Sequence, residues 1–136
     1  RPPAIDPAHP LQGRLIVVDP GHPPLGATGP TGMREAEANL AVALVLRDLL
    51  ARSGARVVLT RSTGAGLDLL PRIRFADSLD AELLVSIHNN ALPDGVNPFT
   101  NNGTSVYYYQ PRSLPLAQAV ERELVLWRAH RCCPQS

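Results

Sequence analysis

Several common signatures are missing from these 136 residues, and their absence removes whole classes of protein. The only two cysteines, Cys132 and Cys133, are adjacent, so they can neither join distant parts of a fold nor supply the spaced thiolates of a structural metal site. The 13 basic and 12 acidic residues give a formal net charge of +1, which provides no electrostatic footprint for a nucleic acid or an anionic membrane. The longest apolar run, residues 40–46, is far shorter than the roughly 20 residues of a membrane-spanning helix. We therefore expect neither nucleic-acid binding nor a membrane span.

Two familiar functional motifs are missing as well. The loop after residue 20 is rich in glycine, but its spacing is not G-x-G-x-x-G and no Gly-Lys-Ser/Thr follows, so a phosphate-binding loop lacks its essential parts. No serine lies in a Gly-x-Ser-x-Gly elbow, which argues against a serine hydrolase. The functional residues must therefore be sought in other patterns.

Short apolar runs alternate with helical patterns along the chain. Residues 15–18 are continuously apolar, which is typical of a strand covered on both faces. Good helix formers dominate residues 35–53, and Gly54 follows them as a stop signal. We predict strands at 15–18, 55–60, 83–87 and 104–109, and helices at 35–53, after a cap at Asp68 and from Ser113.

This alternation predicts an α/β fold of three layers, in which a mainly parallel sheet carries helices on both faces. Because the pattern ends on a helix, we expect the sheet to be incomplete at the C-terminus. Residues 1–13 are predicted to be a proline-rich arm, residues 14–127 a single domain, and residues 128–136 an unstructured tail.

Two histidines and a glutamate are predicted to meet at one edge of this sheet. His22 follows the first strand, His88 ends the third, and Glu35 begins the first helix. In open α/β sheets, ligands bind outside the carboxyl ends of the strands, where these three residues are expected. Two imidazoles and one carboxylate are a typical ligand set for a catalytic zinc ion, although non-haem iron accepts the same set.

Each of these residues also has a purely structural interpretation. A histidine after Asp-Pro-Gly can be an ordinary turn residue, and Glu35 can favour a helix N-terminus through the helix dipole. Their common placement at one edge is what favours a shared site. Around it, Asp19, Asn89 and Asn90 are candidates to orient the ligands or to contact a substrate.

Five motifs occur in a fixed order between about residues 15 and 125. They are DPGH at 19–22, EAEANL at 35–40, VLTR at 58–61, SIHNN at 86–90 and GTSVYY at 103–108. As an ordered set, they make this sequence resemble the zinc-dependent N-acetylmuramoyl-L-alanine amidases, which are cell-wall hydrolases.

The resemblance implies that His22, Glu35 and His88 are zinc ligands. Glu35 is preferred over Glu37 because the family's ligand glutamate lies four residues before the asparagine that is Asn39 here. The resemblance also implies cleavage of the amide between the lactyl group of N-acetylmuramic acid and L-alanine, so that the substrate is peptidoglycan or a muropeptide. We further expect a monomer that acts outside the cytoplasm, in the periplasm, in the cell wall or as a secreted protein.

The sequence departs from this family at two places. Pro23 and Pro24 replace the usual Gly-Gly after the histidine and are expected to stiffen the mouth of the site. The family's catalytic glutamate lies on a later strand in a Glu-Gly-Phe type segment, whereas the only carboxylates after Ser113 are Glu121 and Glu123. We therefore expect a truncated amidase domain and assign no catalytic residue; the alternative is a non-catalytic module that binds zinc or a peptidoglycan fragment. The loop at 91–102 is expected either to contact substrate or to be a solvated connector.

Overall fold

The computed structural model describes residues 5–22, 26–66, 68–93, 95–97 and 100–132. The chain divides into two compact units, Arg1–Ala91 and Leu92–Ser136. The first unit contains all the strands of the described residues. Its elements, in chain order, are β1 (Leu15–Pro20), α1 (Glu35–Arg52), β2 (Arg56–Leu59), α2 (Leu69–Ser78) and β3 (Leu83–Ile87).

Among the described residues, the sheet has three parallel strands in the order β2-β1-β3. Val17 on the central strand is in register with Val58 on one side and Leu84 on the other. The connections through α1 and α2 cross the sheet in opposite directions, so right-handed crossovers place these helices on opposite faces. The predicted α/β class, with its parallel sheet and helices on both faces, is therefore confirmed.

The core of the first unit is built around β1. Val17 and Val18 are fully buried, as the continuous apolar run predicts. Ile16 and Val18 form a cluster with Ala43 of α1 and with Ala55, which lies just before β2. Because all three strands are parallel, their carboxyl ends lie at one edge, where the loops that carry the functional side chains begin.

The predicted arm at 1–13 is ordered where it is described. Residues 5–13 form turns, and Leu11 donates its backbone N–H to the carbonyl of Ser53 at 2.9 Å and packs against the core. A leucine in a proline-rich stretch can still bury apolar surface, so Leu11 anchors this part of the arm to the core. Residues 1–4 lie outside the described part, and the predicted domain limits stay a prediction.

The second unit contains a 3₁₀ turn, Pro111–Ser113, that leads into α3 (Leu114–Cys132). The predicted helix at this place exists, and it continues through residue 132. Residues 128–132, predicted as unstructured tail, are therefore helical, while residues 133–136 lie outside the described part.

The predicted fourth strand at 104–109 is wrong. The structure has no regular element over 102–108, and Tyr107 and Tyr109 are 83% and 92% exposed. The valine and the three consecutive tyrosines of this segment express only a local β preference, and a strand also needs a neighbour to pair its backbone groups. The described sheet ends with β2 and β3 as its edges.

Within the described ranges, no helix has both the length and the apolar character that a membrane span requires.

Candidate metal centre

The structure brings His22, Glu35 and His88 together at the carboxyl edge of the sheet. One possible ligand atom from each residue lies within 4.8 Å of the other two. His22 Nε2 is 3.7 Å from Glu35 Oε1, and His88 Nδ1 is 3.4 Å from the same oxygen. The three residues come from the loop after β1, the first turn of α1 and the end of β3, so they converge only because the sheet is parallel.

The chemistry of these donors, and the two distances from the histidine nitrogens to Glu35, fit a tetrahedral zinc ion. Donors at about 2.0 to 2.1 Å from such an ion lie about 3.3 to 3.4 Å from one another. The two glutamate–histidine distances are close to this value. Two imidazoles and a carboxylate also leave room in the coordination sphere for a further ligand, as catalytic zinc sites require.

Glu35 is held rigidly and in its charged form. Its Oε1 accepts a hydrogen bond from the Asn89 backbone N–H at 2.9 Å, and its Oε2 accepts one from the Ala27 backbone N–H at 3.3 Å. Burial alone would raise the pKa of Glu35, but these bonds, a further one from Asn39 and the charge of His22 together lower that pKa below its usual value. An ionised carboxylate is therefore available as a ligand at neutral pH.

The two histidines face solvent, unlike the glutamate. Their side chains are 49% and 37% exposed, against 6% for Glu35. The rings of His22 and His88 meet edge to face, with centroids 4.6 Å apart and planes at 86°. His22 also has a φ of 55°, a left-handed conformation that is uncommon outside glycine and that is often found at functional sites.

Gly21 is required for the His88 ring to occupy its place. A Cβ added at Gly21 would lie 2.4 Å from the imidazole of His88, far inside van der Waals contact. We expect Gly21→Ala to displace this ring and to weaken zinc binding about 10- to 100-fold, the range for changes that disturb ligand orientation. Chelator competition measures this, and Gly29→Ala is the matched control because its added Cβ would meet only ordinary contacts. Equal zinc affinity in both variants would contradict the site geometry.

Asp19, predicted to orient a ligand or to contact substrate, lies in a different network. Its carboxylate accepts hydrogen bonds from Thr60 Oγ1 at 2.6 Å, Ser86 Oγ at 2.7 Å and Arg72 Nη1 at 3.0 Å. These partners belong to the end of β2, to β3 and to α2. Asp19 therefore ties strand ends and a helix together, and any influence on the ligands passes through those elements.

The remaining predicted residues have different surroundings. Asn89 donates its backbone N–H to Glu35, whereas Asn90 is exposed and its role stays a prediction. Pro23 and Pro24 lie outside the described residues, as do residues 94, 98 and 99 of the loop at 91–102. Substrate contact by that loop also stays a prediction.

Sequence reasoning assigned no role to two buried polar side chains that hold the site together. Arg61 donates to the carbonyls of Pro20 at 2.8 Å, Gly21 at 3.1 Å and Ala36 at 2.7 Å, so it joins the segment before His22 to the first turn of α1. Asn39 is fully buried beside Glu35. The local sequence offered one signal for the role of Asn39. It lies four residues after Glu35, and this spacing places both side chains on one face of the helix.

Comparison with known proteins gives a consistent result. The family model described as N-acetylmuramoyl-L-alanine amidase matches residues 16–132. The probable cell wall amidase LytH of Staphylococcus epidermidis is 36% identical over 117 residues, covering 83% of this chain and 37% of that protein. The N-acetylmuramoyl-L-alanine amidase LytC of Bacillus subtilis is 38% identical over 122 residues, covering 85% of this chain and 24% of that protein.

Solved structures agree with these sequence matches. The N-acetylmuramoyl-L-alanine amidase AmiC2 of Nostoc punctiforme superposes with a TM-score of 0.73 at 34% identity, covering 80% of this chain and 60% of that one. The catalytic domain of the amidase CwlV from Bacillus (Paenibacillus) polymyxa superposes with a TM-score of 0.69 at 36% identity, covering 77% of this chain and 59% of that one. The chain therefore spans less than two thirds of these proteins.

Proposed function

Because this chain belongs to the N-acetylmuramoyl-L-alanine amidase family, we propose that it hydrolyses the amide between the lactyl group of N-acetylmuramic acid and L-alanine in peptidoglycan, with a zinc ion held by His22, Glu35 and His88. The observation that carries the proposal is the convergence of one donor atom from each residue within 4.8 Å. Its position at the carboxyl edge of a parallel sheet is where enzymes of this architecture bind their ligands.

The side chains of the site have distinct tasks in this proposal. A bound zinc ion would supply a Lewis acid that polarises the scissile carbonyl and acidifies water at neutral pH. Glu35 contributes negative charge from a buried position, and its hydrogen bonds to backbone N–H groups prevent it from turning away. The exposed sides of His22 and His88 leave the site accessible to a large polymeric substrate.

The place of action follows from the substrate. Peptidoglycan lies outside the cytoplasmic membrane, so we propose that the protein acts in the periplasm, in the cell wall or in the medium. Relatives whose names include "cell wall amidase" support this location. We further propose that the protein works as a monomer.

A second candidate function is binding without hydrolysis. The 136 residues contain no Glu-Gly-Phe type segment, where the family is expected to carry its proton-transfer glutamate. The carboxylates that follow Ser113, Glu121 and Glu123, are exposed on α3. Loss of a general acid–base group typically lowers a rate by about 10² to 10⁴. For these 136 residues taken by themselves, we propose as the alternative a module that holds zinc or a peptidoglycan fragment without cleaving it.

Incubation of the zinc-loaded chain with a purified muropeptide separates the two functions. We expect slow release of a peptide with a free N-terminal L-alanine, detected by mass spectrometry. A Glu35→Gln variant controls for contaminating amidases, because it removes the charge of the metal ligand. If the wild-type chain binds both zinc and muropeptide and releases no more peptide than this variant, hydrolysis is ruled out and the binding module is supported.

A further inference from the structure

One buried side chain contacts all three segments that carry the candidate ligands. Asn39 lies one helical turn after Glu35 on α1 and is 0% exposed. Its Nδ2 donates to the carbonyl of Gly21 at 3.2 Å and to Glu35 Oε1 at 3.4 Å. Its Oδ1 accepts a hydrogen bond from Asn89 Nδ2 at 2.7 Å. A single amide therefore joins the loop after β1, the helix α1 and the end of β3.

Two of the residues that Asn39 contacts are direct neighbours of the candidate histidine ligands. Gly21 immediately precedes His22, and Asn89 immediately follows His88. Asn89 also donates its backbone N–H to the Glu35 oxygen that Asn39 contacts. Asn39, Glu35 and Asn89 thus form a closed ring of hydrogen bonds, and Gly21 is joined to this ring through Asn39.

An asparagine suits this position for a chemical reason. Its amide offers two donors and an acceptor, so it can satisfy a carbonyl, a carboxylate and another amide at the same time. An aspartate would place a second negative charge beside Glu35. An alanine would leave Arg61 as the side-chain donor to the Gly21 carbonyl and would remove the link from that carbonyl to Glu35 and Asn89.

We propose that Asn39 is a positioning residue that sets the mutual spacing of His22, Glu35 and His88 for metal binding, an inference that rests on the proposed zinc site. Groups that orient metal ligands by hydrogen bonding typically change metal affinity about 10- to 100-fold when they are removed. A merely structural asparagine would instead affect the stability of the fold and leave the metal affinity of the folded protein unchanged.

The test compares zinc dissociation constants, measured by chelator competition, for the wild-type chain, Asn39→Ala and Ala43→Gly. Ala43 is also fully buried, lies one turn further along α1 and packs in the core, so Ala43→Gly weakens the same helix without touching the site. We expect Asn39→Ala to bind zinc about 10- to 100-fold more weakly and Ala43→Gly to bind it with wild-type affinity. Thermal unfolding of the metal-free proteins verifies that both variants are folded.

A second variant keeps the test decisive if Asn39→Ala does not fold. Asn89 is exposed, and Asn89→Ala removes the side chain that contacts Asn39 while keeping the backbone N–H that contacts Glu35. We expect Asn89→Ala alone to weaken zinc binding, because its side chain acts through Asn39. If Asn39→Ala does fold, Asn89→Ala should have no further effect in that background.

The outcomes distinguish this inference from the proposed function. Wild-type zinc affinity in folded Asn39→Ala, or in Asn89→Ala, would overturn the positioning role and leave the zinc site standing. Failure of the wild-type chain itself to bind zinc would overturn both.

Discussion

Glu35→Gln is expected to lower zinc affinity by more than about 100-fold, since apparent zinc-binding energies of about 10 to 16 kcal/mol are shared among a few ligands. The substitution removes the negative charge from the centre of the site. It also disturbs the support of the side chain, because both carboxylate oxygens face N–H donors, from Asn89 on one side and Ala27 on the other. Glutamine has only one oxygen, so its NH₂ group must face one of these donors.

The chain provides a matched control for this prediction. Glu37 lies in the same first turn of α1 but is exposed, so Glu37→Gln makes the same chemical change outside the site. Isothermal titration with zinc should show wild-type affinity for Glu37→Gln and loss of affinity for Glu35→Gln. The opposite result would mean that the ligand is Glu37 and that the present assignment is wrong.

The second large effect concerns stability. Asp19→Ala is expected to lower the free energy of unfolding by about 3 to 5 kcal/mol, the cost of leaving a buried charge without its partner. The side chains of Asp19 and Arg72 are 5% and 9% exposed and form a salt bridge of 3.0 Å. Among the described residues, Arg72 Nε is a buried atom that already lacks a hydrogen-bond partner, so the guanidinium has little other compensation.

Urea unfolding of the metal-free chain measures this effect. The control is Asp48→Ala, which breaks the exposed ion pair between Arg47 and Asp48 at 2.8 Å on α1 and should change stability little. Adding Arg72→Met to Asp19→Ala should recover part of the loss, because the unpaired buried charge is then gone. Equal stability of Asp19→Ala and wild type would show that the network at the sheet edge contributes nothing.

Local sequence patterns were sufficient for most of the first unit. The apolar run of β1 and the helix formers of α1 express burial and propensity, and these agree with the tertiary structure. The meeting of His22, Glu35 and His88 also followed from the predicted parallel sheet, because parallel strands bring their carboxyl ends to one edge. The rule for the carboxyl edge of parallel sheets therefore allowed predictions of single strands and a helix to predict a contact between distant residues.

The predictions that failed, and the roles that were missed, depend on contacts between residues far apart in the sequence. A strand at 104–109 required a neighbouring strand to pair with, and local β propensity cannot supply one. The partners of Asp19, and the roles of Asn39 and Arg61, depend on which distant backbone or side-chain groups each of them meets. Such contacts link residues tens of positions apart, so the type and spacing of neighbouring residues do not reveal them.

The zinc content of the purified, folded chain tests the central claim most directly. Elemental analysis after dialysis against trace zinc should give one zinc ion per wild-type chain and almost none in a folded His88→Ala variant, which loses one of the proposed ligands. A folded wild-type chain that retains no zinc, or a variant that retains as much as wild type, would contradict a metal centre formed by His22, Glu35 and His88.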